Sequence, residues 1–242
     1  MFRFFADESC AREGNAATLS PALQRHVKAA RIAPGEEFIL VFGAEGAAWR
    51  ARLDPEKKGR ALLGERVALV GTGPVAIELC IGLSKMDALE AAVSAAAELG
   101  ATSVRLLVCE RSPVRELSPN KMKRLARIAV SGAEVAGRAR APEILGPTPL
   151  PELGLEPGCA GFVFWEEDAA AGRSFPAVLQ NQTPSGAAQL VIGPEGGLSP
   201  AEVERLESAG FVRASLGPRI LRARTAPLVA LSLIQSFWGD LH

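Results

Sequence analysis

Apolar residues follow two different patterns along this chain, and the change comes near Gly71–Pro74. Before it, short apolar runs at Glu37–Phe42, Ala47–Leu53 and Arg66–Val70 are separated by turn residues and predict a small β-rich barrel. After it, strand-like and helix-like segments alternate, which predicts an α/β domain with a largely parallel sheet. The predicted domains are residues 1–71 and 72–242.

The alternation in the second domain defines its predicted elements. The predicted strands are Val75–Leu83, Val104–Cys109, Gly161–Trp165 and Gln189–Ile192, and the predicted helices are Asp87–Leu99, Pro119–Gly137 and Ala226–Trp238. A stretch rich in proline and glycine, from Pro142 to Gly158, is predicted to be a connection. The last helix is apolar on most of its surface, so we expect it in the core or at a subunit interface.

A glycine-rich turn follows the apolar run Gln189–Ile192. Its glycines, within Gly193–Gly197, permit positive φ and a close approach of another molecule to the backbone. Ser199 is a strong N-cap, Pro200 suits the first helical position, and Glu202 completes a capping box. The turn therefore delivers the chain into the start of a helix. A plain strand-to-helix turn is the alternative, but Glu195 has no evident role in such a turn.

A second glycine turn follows soon after the first. Gly210 is a natural helix end, a strand is predicted at Phe211–Leu216, and Gly217 then turns the chain. Four arginines and no acid lie between Arg213 and Arg224, and the apolar residues among them suggest that part of this loop is buried. Two backbone-rich loops after neighbouring strands predict a site where main-chain groups bind a ligand.

These residues carry a family resemblance. The pattern GPEGGLSPAEVERLESAGF followed by LGPRILRARTA resembles the signature of the small-subunit ribosomal RNA uracil-N3 methyltransferases, S-adenosylmethionine-dependent enzymes of the SPOUT superfamily. Further matches lie at Arg3–Phe5, His26–Val27, Ser84–Asp87 and Lys121–Ile144. The resemblance implies a trefoil-knotted C-terminal domain, a PUA-like N-terminal β-barrel, and a homodimer whose site is completed across a two-fold interface.

The resemblance also implies a cofactor, S-adenosylmethionine, held by three loops. The expected cofactor-binding residues are Phe164, Trp165, Glu166, Ile192, Gly193, Pro194, Glu195, Gly196, Gly197, Leu216, Gly217, Ile220 and Leu221. In such a site the cofactor carries the reactive group and the protein supplies orientation.

The expected chemistry needs a stabilised oxyanion, because the N3 proton of uridine must leave before or during attack. Arginine beside a ring carbonyl would stabilise the developing charge. Arg219 and Arg222 are the candidates, with Arg3 as a possible partner from the small domain. The alternative role for all three is contact with phosphate. Glu195 is a candidate proton acceptor, or a partner that orients an arginine.

Charge is distributed unevenly, although the formal net charge is zero. The segment from Arg105 to Arg140 holds nine Lys or Arg against three acids, a local charge of +6. A local basic field of this kind suits RNA phosphates, and a solvated helix face is the alternative. The expected RNA-binding residues are Arg3, His26, Lys121, Arg124, Arg127 and Arg138, with ribosomal RNA or the small ribosomal subunit as the partner.

Several departures from the family pattern leave other functions open. Where the family has a glutamate after its ILR core, this chain has Arg224; further polar positions of the family fall on Ser94, Ser131 and Val135. A catalytically degenerate RNA-binding relative is therefore one alternative. A methyltransferase with a different RNA target is another.

Other classes of site are poorly supplied. The four cysteines are widely scattered and the chain has two histidines, so we expect no metal site. Gly71 and Gly73 resemble part of a dinucleotide-binding fingerprint, but that motif should open a helix, whereas Val75–Leu83 reads as a strand. The absence of a signal peptide or a membrane-length apolar run predicts a cytoplasmic protein that does not bind a membrane.

Overall fold

The structure, a computed structural model, describes residues 1–33, 35–43, 46–71, 73–167 and 173–242. Its contacts divide the chain into two compact units. The first combines Met1–Gly71 with Ala133–Ala141, and the second combines Thr72–Gly132 with Pro142–His242. Thr72, which begins the second predicted domain and lies inside the Gly71–Gly73 motif, is outside the described residues.

A mixed six-stranded sheet forms the first unit. Its elements are β1 (Arg3–Phe5), β2 (Ala11–Glu13), β3 (Ala16–Thr18), α1 (Pro21–Ala29), β4 (Phe38–Phe42), β5 (Ala47–Leu53) and β6 (Arg60–Val67). The strand order is β1-β4-β5-β6-β3-β2, in which β1 and β4 are parallel and the other pairs antiparallel. Phe4, Phe38 and Leu40 are fully buried in its core.

Sequence patterning found only part of this unit. β4 and β5 lie where they were predicted, but the strand predicted at Arg66–Val70 is β6, which begins at Arg60. Gly64 and charged side chains on the exposed face of β6 interrupt its apolar pattern. The short elements β1, β2, β3 and α1 were not predicted, although α1 begins with a serine cap: the Ser20 hydroxyl accepts from the Leu23 N–H at 3.0 Å.

A parallel six-stranded sheet forms the second unit, which confirms the predicted α/β class. Its elements are β7 (Ala76–Gly82), α2 (Met86–Glu98), β8 (Ser103–Val108), α3 (Pro119–Ala136), β9 (Glu143–Pro149), a 3₁₀ turn (Leu150–Glu152), β10 (Ala160–Phe164), α4 (Phe175–Gln180), β11 (Ala187–Ile192), α5 (Pro200–Ser208), β12 (Val212–Ala214) and α6 (Ala226–Phe237). The strand order is β12-β10-β11-β7-β8-β9, and every pair is parallel.

Helices cover both faces of this sheet, as a parallel sheet requires. Alternate residues of β7, such as Ile77 and Leu79, join a core that includes α2, α3, α4 and α6. Cys80 faces the opposite way, into a core with Val203 and Leu206 of α5. The last turn of α3 belongs by its contacts to the first unit.

One prediction about this unit was wrong, and another gave a strand that was too long. The stretch Pro142–Gly158 is not a plain connection, because β9 and the 3₁₀ turn lie inside it. β9 pairs only with β8, at the edge of the sheet, where proline does not break a ladder on both sides. The strand predicted at Phe211–Leu216 is shorter, Val212–Ala214, and α4 was not predicted.

The described ranges contain no helix that is both long enough and apolar enough to cross a lipid bilayer. Among the same residues, no group of three or more His, Cys, Asp or Glu is placed to hold a metal ion. Cys80 and Cys109 are buried free thiols. Burial raises the pKa of Cys109 to about 12.

Candidate functional site

A cavity of about 470 Å³ opens at the carboxyl ends of β7, β10, β11 and β12. This is the edge at which parallel α/β sheets bind ligands, and the volume lies in the usual range for a small-molecule site. Its lining residues are Lys85, Asp87, Ala88, Phe164, Trp165, Glu166, Ile192, Gly193, Pro194, Glu195, Gly197, Ser215, Leu216, Gly217, Arg219, Ile220, Leu221, Arg222, Ala223, Arg224 and Ala226.

The first loop, 193–197, needs its glycines for close packing. A Cβ on Gly82, at the end of β7, would lie 2.5 Å from the Pro194 nitrogen, and a Cβ on Gly193 would lie 2.9 Å from the Leu198 nitrogen. Gly197 has φ +71°, and a Cβ there would overlap the Glu166 carboxylate. The end of β7, the first loop and Glu166 are therefore packed so closely that larger residues cannot replace these glycines.

Gly196 differs from its neighbours in the first loop, and its role in cofactor binding remains a prediction. It is absent from the described cavity lining, its φ is not positive, and a Cβ there would lie 3.0 Å from the Arg111 Cβ. Arg111 Nη1 donates to the carbonyls of Gly196, at 3.2 Å, and Leu198, at 3.4 Å. Gly196 thus faces the segment after β8, because its carbonyl accepts a hydrogen bond from Arg111.

Glu195 has a structural partner that the sequence did not reveal. Its Oε1 accepts a hydrogen bond from the Lys85 N–H at 2.9 Å. Lys85 is the N-cap residue of α2 and makes no cap with its own side chain, so the Glu195 carboxylate supplies the acceptor. The contact ties the first loop to the start of α2. The carboxylate is held by a backbone N–H and not by an arginine.

The second loop brings a dense positive charge to the cavity. Gly217 turns the chain at φ +110°, and its N–H donates to the Ser215 hydroxyl at 3.1 Å. Arg219, Arg222 and Arg224 are exposed and line the cavity. Within the described residues, none of these three side chains makes an ion pair or a hydrogen bond, so their donors are available to a ligand.

The apolar residues of this loop are more exposed than predicted. Ile220 lines the cavity with 85% of its surface exposed, whereas Leu221 is half-buried and packs on the core. In the part of the chain that the structure describes, the backbone N–H groups of Leu216, Ile220 and Leu221 donate to no protein acceptor. The loop thus presents apolar surface together with free main-chain donors.

The third loop follows β10. Phe164 is buried, edge-on to Phe175 with ring centroids 4.7 Å apart. Trp165 Nε1 donates to the Leu198 carbonyl at 3.3 Å, and the Arg213 guanidinium lies over the Trp165 ring, 5.5 Å from its centroid. Both contacts hold the indole in place on this side of the cavity.

Sequence reasoning missed one wall of the cavity. Lys85, Asp87 and Ala88, at the start of α2, line it together with the three predicted loops. Asp87 lies in the first turn of α2 and is exposed. An aspartate in the first turn of a helix is typical of ordinary helix starts, so the pattern alone gave no reason to assign Asp87 to a site.

The predicted RNA-binding residues of the second unit share one helix. Lys121, Arg124 and Arg127 are exposed on α3. Arg124 is paired with Glu90, with Nε and Oε1 2.6 Å apart, so part of its charge is neutralised. Arg127 Nε donates to the Lys123 carbonyl at 3.3 Å. Phosphate contact by these residues remains a prediction.

The remaining candidates lie in the first unit. A Cβ on Gly137 would lie 3.1 Å from the Arg3 guanidinium carbon, which places Arg3 against the end of α3. His26 is exposed and meets the Phe4 ring edge-on, with centroids 5.0 Å apart. The roles of Arg3 and His26 toward RNA, and of Arg3 in catalysis, remain predictions.

Arg138 is a correction. Its prediction rested on helical spacing from Lys121, but α3 ends at Ala136. The next residue, Gly137, has φ +72° and turns the chain out of the helix. The backbone then bridges to Val70, and Arg138 is only 5% exposed. A side chain buried to this degree does not present its charge to a phosphate.

Comparisons with known proteins agree with this geometry. Residues 72–235 match the RNA methyltransferase domain family. Proteins named ribosomal RNA small subunit methyltransferase E are similar: that of Synechocystis is 34% identical, over 85% of this chain and 68% of its own length. That of Mycobacterium tuberculosis is 31% identical, over 84% of this chain and 79% of its own length.

Two solved structures share the fold along the whole chain. One, from Neisseria gonorrhoeae, is a ribosomal RNA small subunit methyltransferase E bound to S-adenosyl methionine, with 29% identity, a TM-score of 0.87 and complete coverage of both chains. The other, from Legionella pneumophila, carries bound SAM, with 27% identity, a TM-score of 0.85 and 99% coverage of each chain. The resemblance carried by the two glycine loops is confirmed: this chain belongs to the ribosomal RNA small subunit methyltransferase E family of RNA methyltransferases.

Proposed function

We propose that this protein transfers a methyl group from S-adenosylmethionine to N3 of a uridine in 16S ribosomal RNA of the small subunit. One observation carries the proposal. The cavity is built from the three loops that the family signature predicts, in a chain that aligns over its whole length with a relative solved with this cofactor.

The residues present suit this cofactor. The cavity offers apolar surface from Phe164 and Ile192 for a nucleoside, and the free N–H groups of Leu216, Ile220 and Leu221 for its polar edge. The glycines let the first loop pack closely against the end of β7 and against Glu166, and this packing sets the shape of the cavity wall. When bound, the cofactor supplies a methyl group on a positively charged sulfur. Everything else in the reaction must come from the protein.

The arginines of the second loop would stabilise the charge that develops on the target base. Removing the N3 proton leaves negative charge on the ring carbonyl oxygens, and a fixed guanidinium beside them stabilises that charge as it develops. Arg219 and Arg222 line the cavity with unpaired side chains among the described residues, which supports this assignment. Glu195, which accepts a hydrogen bond from the Lys85 N–H, would maintain the shape of the cavity by holding the first loop against α2.

The finer architecture is also proposed. The strand order places β10 between β11 and β12, an arrangement compatible with the trefoil knot that the resemblance implies. The mixed sheet of the first unit would form the PUA-like barrel. The last helix, α6, is largely apolar and leaves Leu228 and Phe237 46% and 38% exposed, and these exposed apolar side chains support a homodimer. A substrate within the ribosome implies work in the cytoplasm.

RNA would be held mainly by charge. The exposed lysines and arginines of α3, with Arg3 and His26 of the first unit, are proposed to contact phosphates. These contacts would position the RNA, while the cavity selects the target base.

Two measurements test the proposal. Calorimetry with S-adenosylmethionine should show one site per chain, and an inert RNA-binding relative would bind RNA but give no heat with the cofactor. Mass mapping of 16S rRNA nucleosides from a deletion strain, with and without the restored gene, should then show one N3-methyluridine that depends on the gene. Methylation of another atom or another RNA would refute the N3 assignment.

A further inference from the structure

We propose that Asp87 is the catalytic residue that accepts the N3 proton of the target uridine. The inference rests on the proposed function and adds the one role which that function leaves unassigned. Among the described residues, three carboxylates line the cavity: Asp87, Glu166 and Glu195. The geometry separates them.

Glu195 is already engaged. Its Oε1 accepts the Lys85 N–H at 2.9 Å, and this bond holds the first loop to α2. A carboxylate that must keep this hydrogen bond to maintain the cavity wall is a poor choice for repeated protonation, because protonation weakens the bond.

Glu166 faces a different part of the cavity. Its carboxylate lies against Gly197, so close that a Cβ there would overlap it. This places Glu166, a residue of the third loop, against the first loop, and both of these loops are assigned to the cofactor. A carboxylate there is suited to accept hydrogen bonds from ribose hydroxyls.

Asp87 has the remaining position. It is exposed to the cavity, and among the described residues its carboxylate makes no hydrogen bond or ion pair. Helix α2 packs against α6 in one core, and Ala226, the first residue of α6, lines the cavity directly after Arg222–Arg224. Asp87 therefore stands on the wall adjoining the arginine loop, where the target base is expected.

The proton transfer balances without another reactant. The N3–H bond breaks and its proton passes to the Asp87 carboxylate. The nitrogen electron pair forms the bond to the methyl carbon while the carbon–sulfur bond breaks and its electron pair stays on sulfur. Arg219 and Arg222 stabilise the ring oxygens meanwhile, and Asp87 then releases the proton to water.

A structural role for Asp87 must be separated from a chemical one. An acid in the first turn of a helix stabilises that helix by about 0.3–1 kcal/mol through the helix dipole. Thermal unfolding and cofactor affinity report that role, whereas dependence of the rate on the acidity of the substrate reports proton transfer alone.

The experiment uses the full-length protein and small subunits reconstituted from 16S rRNA transcripts made with uridine or with 5-fluorouridine. Fluorine makes N3 more acidic, so a missing proton acceptor should matter less. We expect Asp87→Asn to slow single-turnover methylation of uridine RNA at pH 7 by about 100-fold or more. The deficit should shrink with 5-fluorouridine RNA and with rising pH, while cofactor affinity stays within twofold of wild type.

Two further variants complete the test. Asp87→Ser keeps a good residue for a helix start and should behave like Asp87→Asn, which covers the case in which one of them folds poorly. Asp87→Glu should retain part of the rate. Glu204→Gln, an exposed acid on α5 outside the cavity, should match wild type throughout.

The outcomes are distinct. Wild-type rates in the Asp87 variants, or a deficit that neither fluorine nor pH changes, would overturn the assignment of Asp87 alone. If wild-type protein forms no N3-methyluridine on either transcript, the proposed function fails, and the role of Asp87 fails with it.

Discussion

Gly197 shows how a single residue can define a binding wall. Its φ of +71° is unfavourable for other residues, and a Cβ would also displace the Glu166 carboxylate. We expect Gly197→Ala to cost about 1–2 kcal/mol of stability from the backbone conformation. Cofactor affinity should fall by more than tenfold, because Glu166 and the first loop must move apart. Thermal unfolding and calorimetry measure the two effects.

Gly154 offers a matched control. Its φ is not positive, and a Cβ there would have no neighbour within 4 Å, so Gly154→Ala should leave both stability and affinity close to wild type. Equal cofactor affinity in Gly197→Ala and wild type would remove Gly197 from the site.

Arg222 allows a test of the arginine clamp. A group that stabilises charge only in the transition state affects turnover more than binding. We expect Arg222→Ala to lower the single-turnover rate by a larger factor than it lowers RNA affinity, and to leave cofactor affinity unchanged. If the variant lost only RNA affinity and kept its rate, Arg222 would be a phosphate contact.

At the scale of single residues, the sequence predicted backbone loops better than side-chain partners. The glycine turns were found because turn chemistry is local. The partner of Glu195, the Lys85 N–H, was not predicted because it is far away in the chain. Asp87 was missed because an acid in the first turn of a helix is common without any site. The helical spacing assumed for Arg138 was wrong, because Gly137 ends the helix before it.

Helix α3 is the element on which RNA affinity is expected to depend. Each phosphate contact that is lost should flatten the plot of log affinity against log salt by about 0.7–0.9. We expect this for Lys121→Ala and Arg127→Ala. Arg124→Ala should have a smaller effect, because Glu90 already pairs with Arg124. Filter binding of 16S rRNA at several salt concentrations measures the slopes.

Cofactor affinity provides the control for the α3 variants. Lys121, Arg124 and Arg127 do not line the described cavity, so calorimetry with S-adenosylmethionine should give wild-type values. Identical salt slopes in all four proteins would show that this face of α3 does not contact RNA.

At the scale of elements, length and periodicity decided which predictions succeeded. The long helices α2, α3 and α6 and the buried strands of the parallel sheet lie close to their predicted bounds. The three-residue strands β1, β2 and β3 were missed, because so short a segment has no period to read. β9 was missed because its prolines argue against a strand. They are tolerated only because β9 lies at the edge of the sheet, and that position cannot be inferred from the segment itself.

The assembly state is a prediction for the whole molecule. If α6 forms a homodimer interface, Leu228→Glu should place a charge in that interface and shift the protein toward monomer at micromolar concentration. Light scattering measures the mass. Ser208→Glu, on α5, adds the same charge elsewhere and should leave the mass unchanged. A monomeric wild-type protein with full activity would contradict the proposed dimer.

At this largest scale, patterning predicted the α/β class but not the path of the chain. Alternating strands and helices require a parallel sheet, yet the order β12-β10-β11-β7-β8-β9 is set by how crossovers pack. No local feature of the sequence encodes that order. The trefoil knot implied by the family resemblance stays a prediction.

The make-up of the first unit has a consequence for protein synthesis. Phe5 donates its N–H to Glu134 at 3.0 Å, and Val70 bridges to the residues after α3, so this unit is completed only by the distant segment Ala133–Ala141. A ribosome releases the chain from its N-terminus. The strands of the first unit therefore lack part of their packing until translation has passed the middle of the chain. A nascent chain stalled at Gly71 would expose the surface that the segment Ala133–Ala141 later covers.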